Sequence, residues 1–346
     1  MPIVTKSLRE YLQGNLVDFA ERCEMQNFAS PQVLTSLVVT LADLREEGVV
    51  LIPEIFLCDS LDETLKLLPV KEVLQIGRQK EPSKAIAEAV KKCSPLAIGG
   101  WCIYVARGLD DYMFGVFRGS LGPLSIPVEQ TLFTEPRKTI NLVRLLRTAS
   151  GCIEIRNHRG DVYSMLLSDR PATSPLPHAN AKDLVSQICS KVSEDIREST
   201  TTYLEKTVRL ALNACHGAIV VALKSSKVPS FLADGVVLQQ PIDVSDAVRK
   251  LRNGDAEAEH VLNANAALIK GMISSDGITV FDSSARLIAY NCFIASPNKV
   301  AGKVVIGGAR TRAFEALASK VGKQLACVFM QSQDGWTRFD GGNNVE

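Results

Sequence analysis

The sequence predicts a mixed α/β protein of two domains. Three observations carry this. The chain has 346 residues, enough for two domains at a prior of ~150 residues each. Segments with helical apolar spacing alternate with short apolar runs of strand length. A proline-rich stretch, Ser168-Asp169-Arg170-Pro171-Ala172-Thr173-Ser174-Pro175-Leu176-Pro177-His178, separates two such regions. Proline lacks an N–H and clashes with the preceding turn, so this stretch reads as a linker. The expected division is 1–168 as an N-terminal domain, 169–180 as linker and 181–346 as a C-terminal domain.

Residues 4–23 and 32–46 repeat apolar side chains at helical spacing. Residues 49–57 read as a buried strand, with Pro53 marking an edge or a bulge. Helix is expected over 61–68, strand over 73–76 and helix over 83–93. The runs 96–106 and 112–118 are strand-like, and Gly108-Leu109-Asp110-Asp111 between them predicts a hairpin. Residues 137–148 read as a basic helix whose Arg137, Lys138, Arg144 and Arg147 form a solvated face. The runs 152–156 and 161–167 flank Asn157-His158-Arg159-Gly160, a second hairpin.

Beyond the prolines, 181–215 carries Leu184, Ile188, Val192, Ile196, Leu204, Val208 and Leu212 at helical spacing. Ser199-Thr200-Thr201-Thr202 is expected to interrupt it, because hydroxylated and β-branched residues are weak helix formers. Residues 217–223 predict a fully buried strand. Asp234-Gly235 predicts a turn and then a strand to 238. Helices are expected over 244–251, 257–270 and 309–321, and strands over 278–282, 287–293, 326–330 and 336–339.

Composition narrows the function classes. Hydrophobic residues make up 46%, enough for a core in each domain. A net charge of +1 argues against a chain that coats nucleic acid. Nine cysteines, an odd number with no C-x-x-C spacing, sit mostly in apolar runs. That is the usage of reduced, buried thiols, so neither a disulfide framework nor a zinc site is expected. The N-terminus lacks the pattern of a signal peptide. The longest apolar stretch, 96–106, is short of the ~20 residues that span a bilayer. The expectation is a cytoplasmic protein without a membrane partner.

Chemistry concentrates near the C-terminus. In Ser275-Asp276-Gly277-Ile278 a carboxylate stands where helix becomes strand. Carboxylate oxygens are natural ligands of Mg²⁺ or Mn²⁺, and glycine lets the backbone approach a ligand closely. In Gly307-Gly308-Ala309-Arg310-Thr311-Arg312 a glycine pair opens a basic helix. Free N–H groups at a helix start favour anions, and arginines match phosphate oxygens in pairs. Basic residues there oppose the helix dipole, so a purely structural reading must explain an unfavourable placement. Elsewhere, His216, His158, Trp101 and the Lys224-Ser225-Ser226-Lys227 loop read as structural or solvated.

Taken in order, the C-terminal segments resemble the diadenylate cyclase domain, the nucleotide-binding module of bacterial DNA-integrity-scanning cyclases. The likeness runs over 203–341. It rests on Gly217-Ala218-Ile219-Val220-Val221, Ile242-Asp243-Val244-Ser245-Asp246-Ala247-Val248 and Asp276-Gly277-Ile278. It continues in Val280-Phe281-Asp282, Leu287-Ile288-Ala289-Tyr290-Asn291-Cys292-Phe293 and Gly308-Ala309-Arg310-Thr311-Arg312-Ala313-Phe314. The chain departs from the family at Ile278 (alanine there), at Thr311 (histidine) and in Gln331-Ser332-Gln333-Asp334-Gly335, where the family has a Ser-Glu-Glu turn.

The resemblance implies a nucleotidyltransferase that joins two ATP into cyclic di-AMP, or a related cyclic dinucleotide, releasing pyrophosphate. It implies that Asp276 holds Mg²⁺ or Mn²⁺ and helps activate the hydroxyl. Gly277 and Ile278 would lie against the nucleotide. Gly308, Arg310 and Arg312 would grip the triphosphate, with Ala309 and Thr311 also among the nucleotide-binding residues. Two sites must face each other, hence at least a homodimer. By family architecture the N-terminal domain would be a sensor. The departures leave a second reading open, a degenerate cyclase domain that binds a nucleotide and reports on it.

Overall fold

The computed structural model describes residues 8–69, 71–120, 122–133, 140–149, 151–167, 177–232, 234–294, 299–300, 303–304, 307–333 and 335–341. The chain divides into two compact α/β units, Met1–Leu121 with Ser125–Asp169, and Gly122–Leu124 with Arg170–Glu346.

The first unit opens with α1 (Leu8–Asn15), α2 (Val17–Cys23) and α3 (Pro31–Ala42). Ser30 caps α3, its hydroxyl accepting from the Val33 N–H at 3.3 Å, and Pro31 fills the first turn, where no N–H is needed. A short ribbon of β1 (Arg45–Glu46) and β2 (Val49–Val50) follows. Then come β3 (Ile55–Cys58), α4 (Leu61–Lys66), β4 (Glu72–Gln79), α5 (Pro82–Cys93), β5 (Cys102–Arg107) and β6 (Tyr112–Arg118). The unit closes with α6 (Val128–Phe133), β7 (Leu142–Ala149), β8 (Cys152–Asn157) and β9 (Val162–Leu166). Seven strands form one sheet in the order β4-β6-β5-β3-β7-β8-β9, with β3 and β5 parallel and the other neighbours antiparallel. Alternation along β3 feeds two cores. Ile55 and Leu57 pack with α3 and α5, while Phe56 and Cys58 pack with α4 and α6.

Three expectations are corrected here. Residues 142–149 are strand, not basic helix, and 134–139 lie outside the described residues. Arg144 and Arg147 are buried, not solvated. Arg144 pairs with Glu54 and, at 2.7 Å, with Glu154, so the charge that suggested a surface helix is matched inside. The 49–57 run is broken: β3 starts after Pro53 and sits between β5 and β7, so Pro53 precedes a central strand rather than marking an edge. Helix α6 was not anticipated.

The second unit has α7 (Pro177–Ile188), α8 (Glu194–Ala214), β10 (Ala218–Leu223), β11 (Val236–Asp243), α9 (Val244–Arg252), α10 (Glu257–Ser274), β12 (Ile278–Asp282) and β13 (Arg286–Cys292). A ribbon of β14 (Lys299–Val300) and β15 (Lys303–Val304), then α11 (Ala309–Ala318), β16 (Leu325–Gln331) and β17 (Thr337–Asp340) complete it. Its six-stranded sheet runs β11-β13-β12-β10-β16-β17, with β10 parallel to β12 and the other neighbours antiparallel. In β10, Ala218, Val220 and Ala222 face α7–α10, whereas Ile219, Val221 and Leu223 face α11.

The expected linker over 169–180 ends earlier, because α7 begins at Pro177; 168–176 lie outside the described residues. The expected break at Ser199–Thr202 is absent. Helix α8 runs through it, and the Thr200 hydroxyl donates to the Ile196 carbonyl at 2.9 Å, one turn back. The chain breaks instead between α7 and α8, where the Lys191 N–H is donated to the Ser283 carbonyl at 2.8 Å.

Candidate functional site

The parallel pairing of β10 and β12 decides which motifs meet. Ile219 is in register with Ile278. Two residues before each of these stand Gly217 and Asp276, so both precede their strands at the same end of the sheet. Antiparallel β16 brings Gln331 opposite Ala218, and antiparallel β13 brings Cys292 opposite Ile278. That end of the sheet therefore collects the start of β10, the Asp276-Gly277 pair and the exits of β13 and β16.

Asp276 follows the last turn of α10 and is exposed. Its carboxylate makes no hydrogen bond or ion pair with a described residue. The turn beneath it is tied down on both sides: the Ser275 and Thr279 hydroxyls donate to the Met272 carbonyl at 2.7 and 3.0 Å. Gly277 has φ +88°, and a Cβ there would lie 2.8 Å from the Cys292 carbonyl oxygen. Only glycine fits this close passage. Ile278 is 1% exposed, its side chain in the core under α11. What it can offer a ligand is backbone.

Helix α11 supplies the cationic part. Gly308 is its N-cap, with open space beside its Cα and no side-chain cap. The first intrahelical bond runs from the Arg312 N–H to the Gly308 carbonyl at 3.1 Å, which leaves the earlier N–H groups of the first turn for solvent or an anion. Gly307 has φ +141°, and a Cβ on it would meet Thr311 at 2.9 Å, so Thr311 packs back on the loop. Arg310 reaches across to β10: its Nη1 donates to the His216 carbonyl at 3.3 Å, and the guanidinium covers the face of Gly217. Arg312 turns back and donates to the Gly307 carbonyl at 2.6 Å.

Three features of this end were not read from the sequence. Gly217, with φ +115°, leaves room for the Arg310 guanidinium, where a Cβ would come within 3.0 Å of it. Asp234, which its Asp-Gly pair marks as a turn residue, accepts from the Phe293 N–H at 2.9 Å and so stands at this same end of the sheet. Gln331 is buried, and its amide donates to the Leu212 carbonyl at 2.8 Å. The glycine-plus-arginine contact links segments 93 positions apart (Gly217 to Arg310), which no local pattern reports. Beside it, burial pushes the Cys215 thiol above its ordinary range, and the Gly217 N–H and Arg310 pull it partway back. Gln333 is exposed, the Ser332 hydroxyl accepts from the Trp336 N–H at 3.2 Å, and Asp334 lies outside the described residues.

Among the described residues no group of three His, Cys, Asp or Glu side chains can hold a metal ion. A lone exposed carboxylate fits Mg²⁺ or Mn²⁺ that arrives on a triphosphate and keeps several waters, not an ion caged by protein. No described helix is long and apolar enough to cross a membrane. Compared with protein-family models, characterised proteins and solved structures, the chain finds no match.

Proposed function

We propose that the second unit is a diadenylate-cyclase-like nucleotidyltransferase that condenses two ATP into a cyclic dinucleotide and two pyrophosphates. One observation carries this reading: Asp276, whose carboxylate has no partner among the described residues, shares a sheet end with a glycine-opened helix whose Arg310 is held over Gly217. The resemblance in motif order adds to it. On this reading the free N–H groups of α11 and the Arg310 and Arg312 guanidiniums hold the triphosphate and offset charge on the leaving pyrophosphate. Asp276 orients the 3′-hydroxyl of one nucleotide and takes up its proton. The hydroxyl oxygen bonds the α-phosphorus of the other nucleotide as the α–β P–O bond breaks. Asp276 would hold Mg²⁺ or Mn²⁺ arriving with the triphosphate, and the ion would supply further charge neutralisation. Symmetric repetition requires two copies with sites facing.

A second reading has its own support. Arg312 is turned onto the Gly307 carbonyl, Thr311 replaces a histidine and Gln331 is committed to the interior. These features suit a module that binds a nucleotide without turning it over. Incubation with each nucleoside triphosphate and Mg²⁺ or Mn²⁺, with products identified by mass, separates the two. The cyclase reading expects two pyrophosphates released for each cyclic dinucleotide formed. Tight binding of a non-hydrolysable ATP analogue without product under any condition would leave the binding module. Absence of binding would remove both.

A further inference from the structure

We propose that the end of the second unit's sheet remote from Asp276 is a contact surface for the phosphate backbone of duplex nucleic acid, bound without regard to base sequence. The surface lies wholly in the second unit and does not depend on the proposed activity.

Strands β10 and β12 run parallel, so Gly217 and Asp276 precede them at one end of the sheet, and Leu223 and Asp282 close them together at the other. Four connections converge at that second end. Lys191 comes from the break between α7 and α8, and Lys224 and Lys227 follow β10. Arg286 opens β13, and Lys320 and Lys323 stand between α11 and β16. The backbone ties these segments to one another. The Lys191 N–H donates to the Ser283 carbonyl at 2.8 Å, and the Lys224 N–H to the Gln324 carbonyl at 3.1 Å. Over 189–193, 224–231, 282–286 and 319–324 the one carboxylate is Asp282. It is 2% exposed and paired with Arg286 at 2.8 Å. The net charge of +1 hides this concentration, because the cations come from four separate segments that only the fold assembles.

The five lysines keep their charge. The Lys191 ammonium donates to the Lys224 carbonyl at 2.5 Å, and the Lys224 ammonium to the Gly322 carbonyl. The Lys320 ammonium lies 4.5 Å from the centre of the Phe231 ring. Carbonyls and a ring hold these groups without cancelling them. Lys227 and Lys323 are exposed and have no partner among the described residues. Elsewhere lysines meet a carboxylate one turn away, as Lys66 does Glu63, Lys84 does Glu81 and Lys92 does Glu88. Acids on the adjoining helix starts are engaged there: Asp243 caps α9, Asp246 pairs with Lys250 at 2.8 Å, and Glu194 and Asp195 complement the dipole of α8. The partner must therefore bring negative charge. None of the exposed large apolar side chains among the described residues lies on these four segments. A protein interface draws on an apolar, aromatic centre, and a lipid surface takes up apolar side chains, so neither fits. Lysines are compact point charges, and with an exposed hydroxyl such as that of Ser225 they suit phosphate oxygens without reading bases. The Phe231 ring is covered by Lys320, so it offers no platform for an unstacked base, which favours a duplex over a single strand.

The test follows the fluorescence anisotropy of a labelled duplex DNA of about 20 base pairs with the full chain, in KCl from about 50 to 200 mM. Neutralising about three to five phosphates should cost roughly 40- to 500-fold in affinity over that range, a log–log slope of about −2.7 to −4.5. Lys227→Glu and Lys323→Glu, introduced together, should weaken binding roughly tenfold or more at the low-salt end and make the slope shallower. The circular dichroism spectrum should not change, since neither side chain holds the fold through a described contact. Arg310→Ala, at the other end of the sheet, should leave duplex binding within about twofold, whatever it does to a nucleotide. Three results would overturn the proposal: unchanged affinity in the double variant, a loss that appears in Arg310→Ala instead, or displacement of the duplex by poly-glutamate as readily as by unlabelled duplex.

Discussion

Gly277 and Gly308 look alike in the sequence and are held in opposite ways. Gly277 sits at φ +88° with the Cys292 carbonyl 2.8 Å from where a Cβ would go; Gly308 has an ordinary φ of −68° and open space. Gly277→Ala should therefore lose about 1–3 kcal/mol of stability, and Gly308→Ala less than about 1 kcal/mol, in urea titrations read at constant slope. Equal losses would mean the turn relaxes. Ligand binding divides the site differently. Arg310→Ala should weaken a non-hydrolysable ATP analogue by about 1.5–3 kcal/mol, roughly ten- to 150-fold, in calorimetric titration. Its guanidinium bonds a backbone carbonyl rather than a carboxylate, which leaves its charge for a phosphate. Asp276→Asn keeps the shape and removes the charge. It should abolish product while retaining nucleotide, because an interaction made in the transition state falls on turnover. Activity in the Asp276→Asn variant would end the catalytic assignment.

At the scale of elements, β7 is the instructive case. Its arginines recur as on a solvated helix, yet the strand lies between β3 and β8. Burial opposes the charge of Arg144, and the carboxylates of Glu54, Glu129 and Glu154 outweigh that burial and push its pKa up. Removing one partner from such a group leaves uncompensated buried charge, so Arg144→Ala should cost about 3–5 kcal/mol. A solvated arginine would cost within about 0.5 kcal/mol. The next hairpin, β8 to β9, carries a pH response. His158 is 4% exposed and its Nδ1 accepts from the Leu142 N–H at 3.3 Å. Burial first, then Arg159, hold its pKa below the ordinary 6.5. The folded state thus prefers the neutral ring, and its contribution is present above pH 6.5 and lost as pH falls through the folded value. Urea midpoints at pH 7.5 and pH 5 should fall further apart in wild type than in His158→Asn. Equal spacing would exclude this residue as a source of acid sensitivity.

For the whole molecule, the two units bury separate cores on both faces of their sheets, and the thiols report on both. Eight of nine cysteines are buried and Cys215 is half-buried. Burial pushes Cys23, Cys58 and Cys327 up to about 12, and Cys93, Cys189 and Cys292 up to about 11. A raised folded pKa stabilises below the ordinary value of 9.0 and stops doing so as pH rises through the folded one. Stability should therefore decline from pH 9 toward 11–12, the range of these thiols. At pH 8 an aromatic disulfide reagent should modify Cys215 first, with all nine reacting in denaturant. Several fast native thiols would show that one core opens readily.

Most helices and strands were legible in the residue order because their periods are local: α5, β10 and β12 need only neighbouring residues to declare one buried face. The mixed α/β class follows from that alternation alone. The sequence also marked Asp276-Gly277 and Gly308–Arg312, since a carboxylate, a glycine and a basic helix start are chemically distinct wherever they fall. It misassigned β7 because charge is a sign of exposure only when no opposite charge is brought to it, and Glu54 and Glu154 arrive from other strands. It likewise broke α8 at threonines whose hydroxyls the helix itself absorbs. Tertiary structure alone decided that β12 lies parallel beside β10, that Arg310 covers Gly217, and that Asp234 stands at the same sheet end. Each depends on pairing between strands distant in the chain, and backbone hydrogen bonding between strands carries no signature in local composition.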